Sequence, residues 1–412
     1  MESIARNDPQ RRLLIVDITS TGHHPSYIRW ILDAGLAQSA EVILAGRTQL
    51  LEHPEVLASQ SAFTRFPIAV PPRLDGLLAN WSGLGLIRGS WMIGRLYREV
   101  CRAVARTGRV DFVIVPFLDD CILGLSLPRE AFGGIPWMAI TMRTMFHYGE
   151  MGVVAPPQRF AGLRRWLLYR ALRQNSMRCL LTIDPTLAAF AQKRSEIFMR
   201  KIDYLPDPST LHTALPSKPA ARLQLKVPLE ACLVVIFGEI SARKGVVFLL
   251  QAAADPRCSD RIHILLAGRC RDRERLVTSE PFRGLEAAGR IHMVDGYVHG
   301  AEERQVIASA DCMWVGHTDF YGTSGVMVLA ARHGLPVLAT EEGLIGYMAR
   351  QHQIGAIIQP KNRTAVVAAL NRLVEQPEWF ARAGANGASA FQEHDPAEFQ
   401  RLVAEKIGIG HP

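Results

Sequence analysis

One short stretch of the chain combines the residues expected of a phosphate-binding site. An apolar run ends in Phe237-Gly238-Glu239, and Arg243-Lys244-Gly245 follows directly before a predicted helix. Free backbone N–H groups, the positive end of the helix dipole and the lysine ammonium would all face an anion bound there. The alternative is a surface lysine beside an ordinary turn, and the stretch by itself does not decide between the two.

A second candidate is Tyr321-Gly322-Thr323-Ser324-Gly325, between a buried strand and the helix that contains Val326 to Arg332. Hydroxyl and backbone N–H donors at the start of a helix can bind a diphosphate or a sugar, and glycine lets a ligand come close. An ordinary capped helix is the alternative.

The N-terminal half carries further polar residues where predicted strands end. Gly22-His23-His24 follows the first strand, and Gly22 permits a tight turn that leaves both imidazoles near the strand ends, where ligands bind in parallel sheets. Asp119 and Asp120 follow another strand and could bind ligand hydroxyls. Surface, capping or solvated-loop roles are the alternatives.

A loop at Thr141 to Tyr148 follows a third strand of that half and contains Arg143 and His147. The Arg143 guanidinium suits a phosphate, and His147 could contact a second substrate. Structural roles are equally expected for both side chains.

An ordered series of segments in the second half resembles a known family. Together these segments resemble the C-terminal half of GT-B glycosyltransferases, specifically the retaining group called glycosyltransferase family four: Phe237 to Gly245, Leu265 to Arg269, Ile291 to Tyr297, Ala310 to Val315 and Gly334 to Thr340. The resemblance implies an α/β GT-B fold with two Rossmann-like domains facing each other across a cleft. It also implies a nucleotide-sugar donor, retention of anomeric configuration, and chemistry without a metal or another cofactor.

The resemblance also implies roles for individual residues. The nucleotide base would lie near Gly268 and the diphosphate near Lys244, while the acceptor would enter from the first domain. The implied donor-binding residues are Gly22, His23, Gly238, Arg243, Lys244, Gly245, Gly268, Arg269, Val294, Gly296, Tyr297, Tyr321, Gly322, Thr323, Ser324 and Gly325. The expected catalytic residues are Lys244, Arg143, His147 and Asp319, and the expected acceptor-binding residues are His24, Asp119 and Asp120.

The chain departs from the family at three charged positions. Glu239 stands where arginine usually follows the first glycine, and its carboxylate would repel a diphosphate, so that part of the cationic clamp is missing or has moved to Arg243 or Arg269.

Two glutamates of the family, separated by seven intervening residues, are replaced by Tyr321 and Leu329; Asp319 could substitute for the first. A catalytically impaired relative that binds a nucleotide-sugar or a partner as a scaffold therefore remains an alternative to the enzyme, and a GT-B epimerase is a third.

Composition limits the class of protein. The 412 residues suggest two domains, and 48% hydrophobic with 21% charged residues is ordinary for a globular chain. No apolar run is long enough to cross a membrane, and Met1 to Arg12 has no apolar signal core, so we expect a cytoplasmic protein. The net charge of +8 suits anionic ligands such as nucleotide-sugars or lipid phosphates, with a sugar, lipid-linked or small-molecule acceptor.

Two further classes are disfavoured by the residues present. Seven scattered cysteines without a Cys-x-x-Cys pair predict neither a disulfide framework nor a zinc site. No motif that interleaves aromatic and basic residues for nucleic-acid recognition is evident, so nucleic acid is not an expected partner.

Alternating strand and helix patterns predict two parallel sheets. We expect an N-terminal domain over 1–208, a proline-rich linker over 209–229, a nucleotide-sugar domain over 230–385 and a helical tail over 386–412, for which packing back on the first domain is one option. Strands are predicted at Leu13 to Ile18, Cys232 to Phe237, Ile262 to Ala267 and Cys312 to Val315, among others, and Thr64 to Gly89 has no clear pattern.

A basic helix containing tryptophan is predicted over Phe160 to Arg173. Its mixture of Arg164, Arg165 and Trp166 fits a peripheral contact with an anionic membrane face, and an amphipathic helix packed on its own domain is the favoured alternative.

Overall fold

The computed structural model describes residues 11–79 and 83–408. Residues 1–10, most of the segment expected to lack a signal core, therefore lie outside the described residues. The last four residues of the predicted tail lie outside them as well. The strands are β1 Arg11–Val16, β2 Ala40–Gly46, β3 Thr64–Pro67, β4 Phe112–Val115, β5 Trp137–Thr141, β6 Met177–Thr182, β7 Ile202–Tyr204, β8 Cys232–Phe237, β9 Ile262–Ala267, β10 Ile291–Val294, β11 Cys312–Val315, β12 Val337–Thr340 and β13 Gly355–Ile358.

The helices lie between these strands and after the last of them. They are α1 His24–Leu32, α2 Thr48–Leu51, α3 Pro54–Leu57, α4 Pro72–Ala79, α5 Gly83–Thr107, α6 Ile122–Ser126, α7 Ala161–Leu172, α8 Pro185–Gln192, α9 Lys218–Gln224, α10 Val246–Ala253, α11 Arg273–Val277, α12 Glu280–Ala287, α13 Gly300–Ser309, α14 Gly325–Arg332, α15 Gly343–His352, α16 Arg363–Glu375, α17 Pro377–Ala390 and α18 Pro396–Ile407. Within the described ranges, none of them is long and apolar enough to span a bilayer.

The first compact unit combines three stretches of chain, 1–147, 157–206 and 396–412, as far as they are described. Its seven parallel strands have the order β3-β2-β1-β4-β5-β6-β7. Strands such as β4 are buried on both faces and are apolar throughout, as expected of a parallel sheet with helices on both sides. Helix α18 completes one side of this core with Phe399 and Val403.

The second compact unit contains residues 148–156 and 207–395. Its six parallel strands have the order β10-β9-β8-β11-β12-β13. The strand order reverses at β8: the strands that follow it directly lie on one side, beginning with β9, and the later strands lie on the other side, beginning with β11. In doubly wound sheets, ligands bind beyond the carboxyl ends of the strands at such a point.

The predicted strands β8, β9 and β11 have the bounds observed in the structure. The unassigned segment, 64–89, contains β3, α4 and the start of α5, which begins at Gly83. Proline, glycine and leucine are mixed there without a clear helical period, so packing decides the structure.

Two segments lie differently from the predicted domain boundaries. The predicted linker, 209–229, is part of the second unit, because the buried Arg222 donates to Ser309 O at 3.2 Å and pairs with Asp311. Residues 148–156, predicted within the first domain, also belong to the second unit: Gly343 N donates to Val154 O at 2.7 Å.

Candidate functional site

Backbone contacts join the carboxyl ends of β8, β9 and β10 in the second unit. Gly238 N donates to Ala267 O, and Gly268 N donates to Val294 O, each at 2.8 Å. Gly268 has φ of +140°, and a Cβ there would overlap the carbonyl group of Gly238. A side chain at this position would push the two loops apart, so the predicted glycines Gly238 and Gly268 build this edge of the sheet.

Lys244 is held inside this edge and not on the surface. Its side chain donates to Phe237 O at the end of β8, the residue is 8% exposed, and Trp314 Nε1 donates to Lys244 O at 2.7 Å. The following Gly245 has φ of +68°, and a Cβ there would overlap Gly316 O. The surface-lysine alternative is therefore wrong, because the loop after β8 is packed against the loop after β11.

Burial and then the neighbouring Arg243 lower the pKa of Lys244 to about 8, while Glu239 opposes the change. The ammonium is disfavoured there because it has exchanged bulk water for one carbonyl acceptor. An anion bound beside Lys244 would supply the missing counter-charge.

Arg243 is the second cation of this edge. Its guanidinium is exposed and lies 4.9 Å from the ring centroid of Phe320, and its carbonyl accepts from Thr318 N at 2.8 Å. No carboxylate of the described residues forms an ion pair with it. Arg243 is therefore accessible to a ligand, and its part in a relocated cationic clamp stays a prediction.

Glu239 is neutralised by arginines from the neighbouring loop. Arg271 Nε lies 2.7 Å and Arg269 Nη2 lies 3.6 Å from its carboxylate. A parallel bridge between Ile240 and Cys270 extends β8 and β9 past their glycines and places these side chains together. Arg269 thus faces Glu239, and Arg271 is a contact that motif comparison missed.

His317 is a further residue that the motifs did not identify. It is 5% exposed, and its Nδ1 is buried with no hydrogen-bond partner among the described residues. Burial, reinforced by Lys244 and Arg243, lowers the pKa of His317 to about 4, so the imidazole is neutral near pH 7. A buried polar atom without a protein partner is costly, and a water molecule or a ligand can supply the missing hydrogen bond.

Asp319 lies after β11 with φ of +54°, a left-handed conformation that aspartate tolerates better than most residues. Lys361 Nζ lies 3.1 Å from both of its carboxylate oxygens, and both side chains are largely exposed. A ligand that binds to the Asp319 carboxylate would either displace the Lys361 ammonium or bind beside it.

By the resemblance, Tyr321 is expected to stand where the family has its first glutamate. Its carbonyl accepts from Tyr148 Oη at 3.1 Å and from Leu344 N at 3.0 Å. Burial, then Glu342 and Asp319, raise the pKa of the Tyr321 phenol, so it stays protonated near pH 7. Leu329, expected by the resemblance at the second glutamate position, is 7% exposed and packs in the core of this unit.

The segment from Tyr321 to Gly325 follows β11, and the segment predicted to lie near the nucleotide base follows β10. Both therefore lie at the carboxyl edge of the second sheet. Gly325 opens α14, and Ser324 precedes it with its side chain not engaged in capping. Gly322 and Thr323 are half-buried. After β10, Val294 is half-buried, Gly296 has φ of +113°, and Tyr297 is 77% exposed.

In the first unit the paired histidines have different environments. Gly22 has φ of +67° and forms the predicted turn, and His23 is an exposed residue before α1 that does not cap it with its side chain. His24 is 6% exposed, and its ring stacks on Phe117 at 3.5 Å between centroids. Its Nδ1 lies 2.8 Å from Asp17 Oδ2, a partner that the motifs did not suggest.

The two aspartates after β4 also differ. Asp119 accepts hydrogen bonds from Thr141 Oγ1, from Met142 N and from Arg143 N at 2.7 to 3.1 Å, so it holds the loop after β5. Asp120 faces His24 Nε2 at 3.7 Å and pairs with the exposed Arg143 at 3.3 Å. Burial is the main cause that raises the pKa of Asp120.

The expectation that His147 contacts a bound molecule is wrong in this structure. The residue is 0% exposed, and its Nε2 lies 2.9 Å from Thr186 Oγ1 and 3.1 Å from Asp184 Oδ2. Asp184 in turn caps α8 by accepting from Thr186 N. His147 therefore stabilises the start of α8.

Helix α7 buries the face that carries Leu167 and Leu168 and leaves Trp166 46% exposed beside Arg164 and Arg165. Arg170 donates to the carbonyls of α6, so only part of the basic face is free for another molecule. One side of this helix packs in the core, and the other side presents an exposed basic surface.

Other candidate sites are few. No group of three or more His, Cys, Asp or Glu side chains in the described ranges is arranged to hold a metal ion, and all seven cysteines are free. A cavity of about 670 Å³ lies at the amino ends of β1 and β4, lined by Arg11, Arg109 and Arg178 among others. It is at the sheet edge opposite to His24, and it includes none of the predicted site residues.

Comparisons with known proteins agree with this architecture. The family model described as glycosyl transferases group 1 matches residues 231–376. HepE of Anabaena, crystallised in complex with UDP, is 16% identical with a TM-score of 0.66 over 96% of this chain and 99% of that chain. Sucrose-phosphate synthase of Thermosynechococcus elongatus is 18% identical with a TM-score of 0.64 over 97% of each chain.

WaaG, a glycosyltransferase involved in lipopolysaccharide biosynthesis, is 14% identical with a TM-score of 0.62 over 97% of this chain and 100% of that chain. None of the curated proteins compared with the sequence matches it. The predicted α/β fold of the GT-B class is confirmed, and so is the resemblance of the second half to group 1 glycosyltransferases.

Proposed function

We propose that the protein transfers a sugar from a nucleotide-diphosphate sugar to a hydroxyl group of an acceptor. The observation that carries this proposal is the buried Lys244, held at the end of β8 next to the unpaired Arg243 within the region that matches the family model. The similar HepE structures contain UDP and UDP-glucose, which favours a uridine donor.

The chemistry follows from fixed positive charge. As the bond from the anomeric carbon to the diphosphate breaks, negative charge develops on the leaving oxygen. Lys244, Arg243 and the N-terminus of α14 would stabilise this charge, and a cation that is already held in place needs no reorganisation. The buried His317 is available as an added contact to the donor.

The proposal also covers the stereochemistry, the metal requirement and the residues that contact the donor sugar. By resemblance we expect retention of anomeric configuration, no metal requirement, and a donor contact by Asp319 or Tyr321 in place of the missing glutamates. Product anomers identified by NMR and turnover measured in the presence of a chelator test the first two.

A panel of nucleotide-sugars screened by thermal unfolding tests the proposal. A donor present at about 100 times its Kd should stabilise the protein by about 2.7 kcal/mol, and the donors that do so are then assayed for release of nucleoside diphosphate. UDP-glucose, UDP-N-acetylglucosamine, GDP-mannose and a dTDP-sugar form a suitable first panel, with free glucose as the control. If none of these stabilises the protein and none is turned over, the proposal is wrong.

A scaffold without catalysis is the second candidate, because Leu329 packs in the core where the family has a carboxylate. It predicts stabilisation by a nucleotide-sugar without hydrolysis or transfer to any acceptor. The two assays therefore separate the candidates.

A further inference from the structure

The cavity of about 670 Å³ in the first unit lies where four neighbouring strands begin. Its walls come from the starts of β1, β4 and β6, from the turn before β5 and from the end of α18. These strands are adjacent in the order β1-β4-β5-β6, so their starts form one continuous edge of the sheet. Pockets that hold small organic molecules in proteins have volumes of about 300 to 1,000 Å³, so this cavity is large enough for such a ligand.

Two arginines of the cavity have no carboxylate that balances their charge. Arg11 and Arg178 are exposed, and neither forms an ion pair with a carboxylate of the described residues. Arg11 Nη1 donates to Gly408 O at 3.3 Å. Arg178 lies near another cation, because burial and then Arg178 lower the pKa of Lys201 while Glu130 opposes the change. Both guanidiniums are therefore open to an anion.

The other charged side chains of the cavity are paired within the protein. Three pairs with distances of 2.6, 2.9 and 3.1 Å between nitrogen and oxygen neutralise them: Arg109 with Asp111, Lys406 with Asp203, and Arg401 with Glu405. The excess positive charge of the cavity is therefore that of Arg11 and Arg178. Unpaired like charges around one concave surface repel each other, and a bound anion removes that repulsion.

The turn before β5 supplies two backbone donors. Gly133 has φ of +65° and Gly134 has φ of +92°. Ile135 N closes the turn by donating to Phe132 O at 3.2 Å. The N–H groups of both glycines have no hydrogen-bond partner in the part of the chain that the structure describes, and a Cβ at either position would meet no atom within 4 Å. A ligand can therefore reach the main chain here, and successive N–H groups of a turn can bind an anion.

Strand pairing places this turn on the Arg178 side of the cavity. Trp137 of β5 pairs with Met177 of β6, the residue before Arg178. Arg11 is on β1, and three strand spacings of about 4.8 Å separate β1 from β6. The cavity thus has one guanidinium and two backbone N–H groups at one end and a second guanidinium at the other.

Apolar side chains line the cavity as well. Leu13 on β1 and Phe112 on β4 are otherwise buried, and Ile135 before β5 is half-buried. A free inorganic ion gains nothing from this apolar surface, whereas an organic group that covers it is stabilised because the surface is removed from water. The lining therefore fits a molecule with an anionic end and an apolar body.

We propose that this cavity is a binding site for a small organic phosphate. The phosphate accepts hydrogen bonds from the Arg178 guanidinium and from the N–H groups of Gly133 and Gly134, and Arg11 binds a second acceptor group at the other end of the ligand. A guanidinium presents two parallel donors to phosphate oxygens, which suits arginine better than lysine for this contact. The site is in the first unit and Lys244 is in the second, so it is additional to the proposed sugar transfer and does not rest on it.

Calorimetric titration of the full chain at low ionic strength tests the class of ligand. The probes are inorganic phosphate, phenyl phosphate and para-carboxyphenyl phosphate. Phenyl phosphate should bind about fivefold more tightly than inorganic phosphate, because its ring covers Leu13 and Phe112. Arg178→Gln should weaken the binding of phenyl phosphate about tenfold, since a charge-assisted hydrogen bond is lost. Arg11→Gln should weaken the binding of the carboxyl derivative more than that of phenyl phosphate.

The matched control is Arg102→Gln, which removes an exposed arginine of α5 outside the cavity. It should leave every Kd unchanged. Equal Kd values of wild type and Arg178→Gln for phenyl phosphate, or no binding of either ester by wild type, overturn the proposal. Equal affinity for inorganic phosphate and phenyl phosphate would show that only a free anion binds, and an organic ligand would be refuted.

NMR spectroscopy of the full chain locates the bound probe. Deuterated protein carries ¹⁵N in its 33 glycines, and Gly133→Ala and Gly134→Ala identify two of the signals by their absence. Both signals should shift as phenyl phosphate is added, with the Kd found by calorimetry, and they should shift in the same way in Lys244→Met. Unchanged signals at saturation would place the phosphate elsewhere and overturn the proposal. A wild type that binds phenyl phosphate here but binds no nucleotide-sugar refutes sugar transfer and leaves this site in place.

Discussion

Replacing Lys244 by methionine separates the stability of the fold from the binding of the donor. Methionine has nearly the same length and no charge, so it fills the buried site without the ammonium. The displacement of the lysine pKa from 10.5 to about 8 means that burial disfavours the charged form by roughly 3 kcal/mol. The hydrogen bond to Phe237 O offsets part of this, since such bonds to charged groups contribute about 1.5 to 3 kcal/mol. We therefore expect Lys244→Met to unfold at the same temperature as wild type, or higher, near pH 7.

The pH dependence of the unliganded protein gives a sharper signature. The folded-state pKa of Lys244 is lowered, so the unfolded chain binds more protons between pH 8 and 10.5. The contribution of Lys244 to stability must then rise with pH in that window. The free energy of unfolding of wild type and of Lys244→Met is measured at pH 7 and at pH 10. The value for wild type minus the value for the variant should increase from pH 7 to pH 10.

Donor binding should respond in the opposite direction. Only the protonated Lys244 can pair with a diphosphate, so the apparent Kd of wild type should increase about tenfold from pH 7 to pH 9. Lys244→Met should bind the donor at least tenfold more weakly at pH 7, show little dependence on pH, and lose more than about tenfold in turnover. Isothermal titration calorimetry and nucleotide release measure these effects.

The matched control is Lys226→Met, the same change at an exposed lysine of the second unit. It should leave the donor Kd, its pH dependence and turnover unchanged. If Lys244→Met binds and turns over the donor like wild type, Lys244 does not contact the phosphate and the proposed site is wrong.

Four further variants test the site and the exposed face of α7. Asp319→Asn and Tyr321→Phe should each lower turnover at least tenfold with little change in nucleotide affinity, because their expected contacts are to the sugar; equal losses in UDP affinity would contradict this. Glu239→Gln should tighten donor binding several-fold at low salt and less at 0.3 M salt, since it removes a carboxylate from the phosphate edge; calorimetry at both salt concentrations measures this, and unchanged or weaker binding would argue against a diphosphate there. If the exposed face of α7 meets an anionic membrane, changing both Arg164 and Arg165 to Gln should reduce sedimentation with vesicles containing phosphatidylserine, each arginine contributing about 1 kcal/mol; wild type that stays in solution at low ionic strength would exclude that role.

Local sequence determines much of this architecture because strands of a parallel sheet are buried on both faces. Such strands are continuous apolar runs, and β8, β9 and β11 were predicted with the observed bounds. Local backbone packing also accounts for the glycines at the strand ends. Gly245 and Gly268 adopt positive φ where a Cβ would overlap a carbonyl group, which leaves few other residues for these positions.

Tertiary structure decides which polar side chains are accessible and which of them meet. His147 and Lys244 follow strands in similar ways, but His147 is enclosed beside Asp184, whereas Lys244 lies at the carboxyl end of β8 next to Phe237 O. Asp17 carries no motif, and its contact with His24 depends on how α1 packs over the end of β1.

The same holds for residues far apart in the chain. Asp120 reaches His24 because β4 pairs with β1 across nearly one hundred intervening residues, and Arg269 and Arg271 reach Glu239 because β9 pairs with β8. Sequence periodicity reports the burial of each strand but not its neighbours in the sheet. The strand order, set by the packing of the whole unit, therefore determines which charges are neutralised and which remain for a ligand.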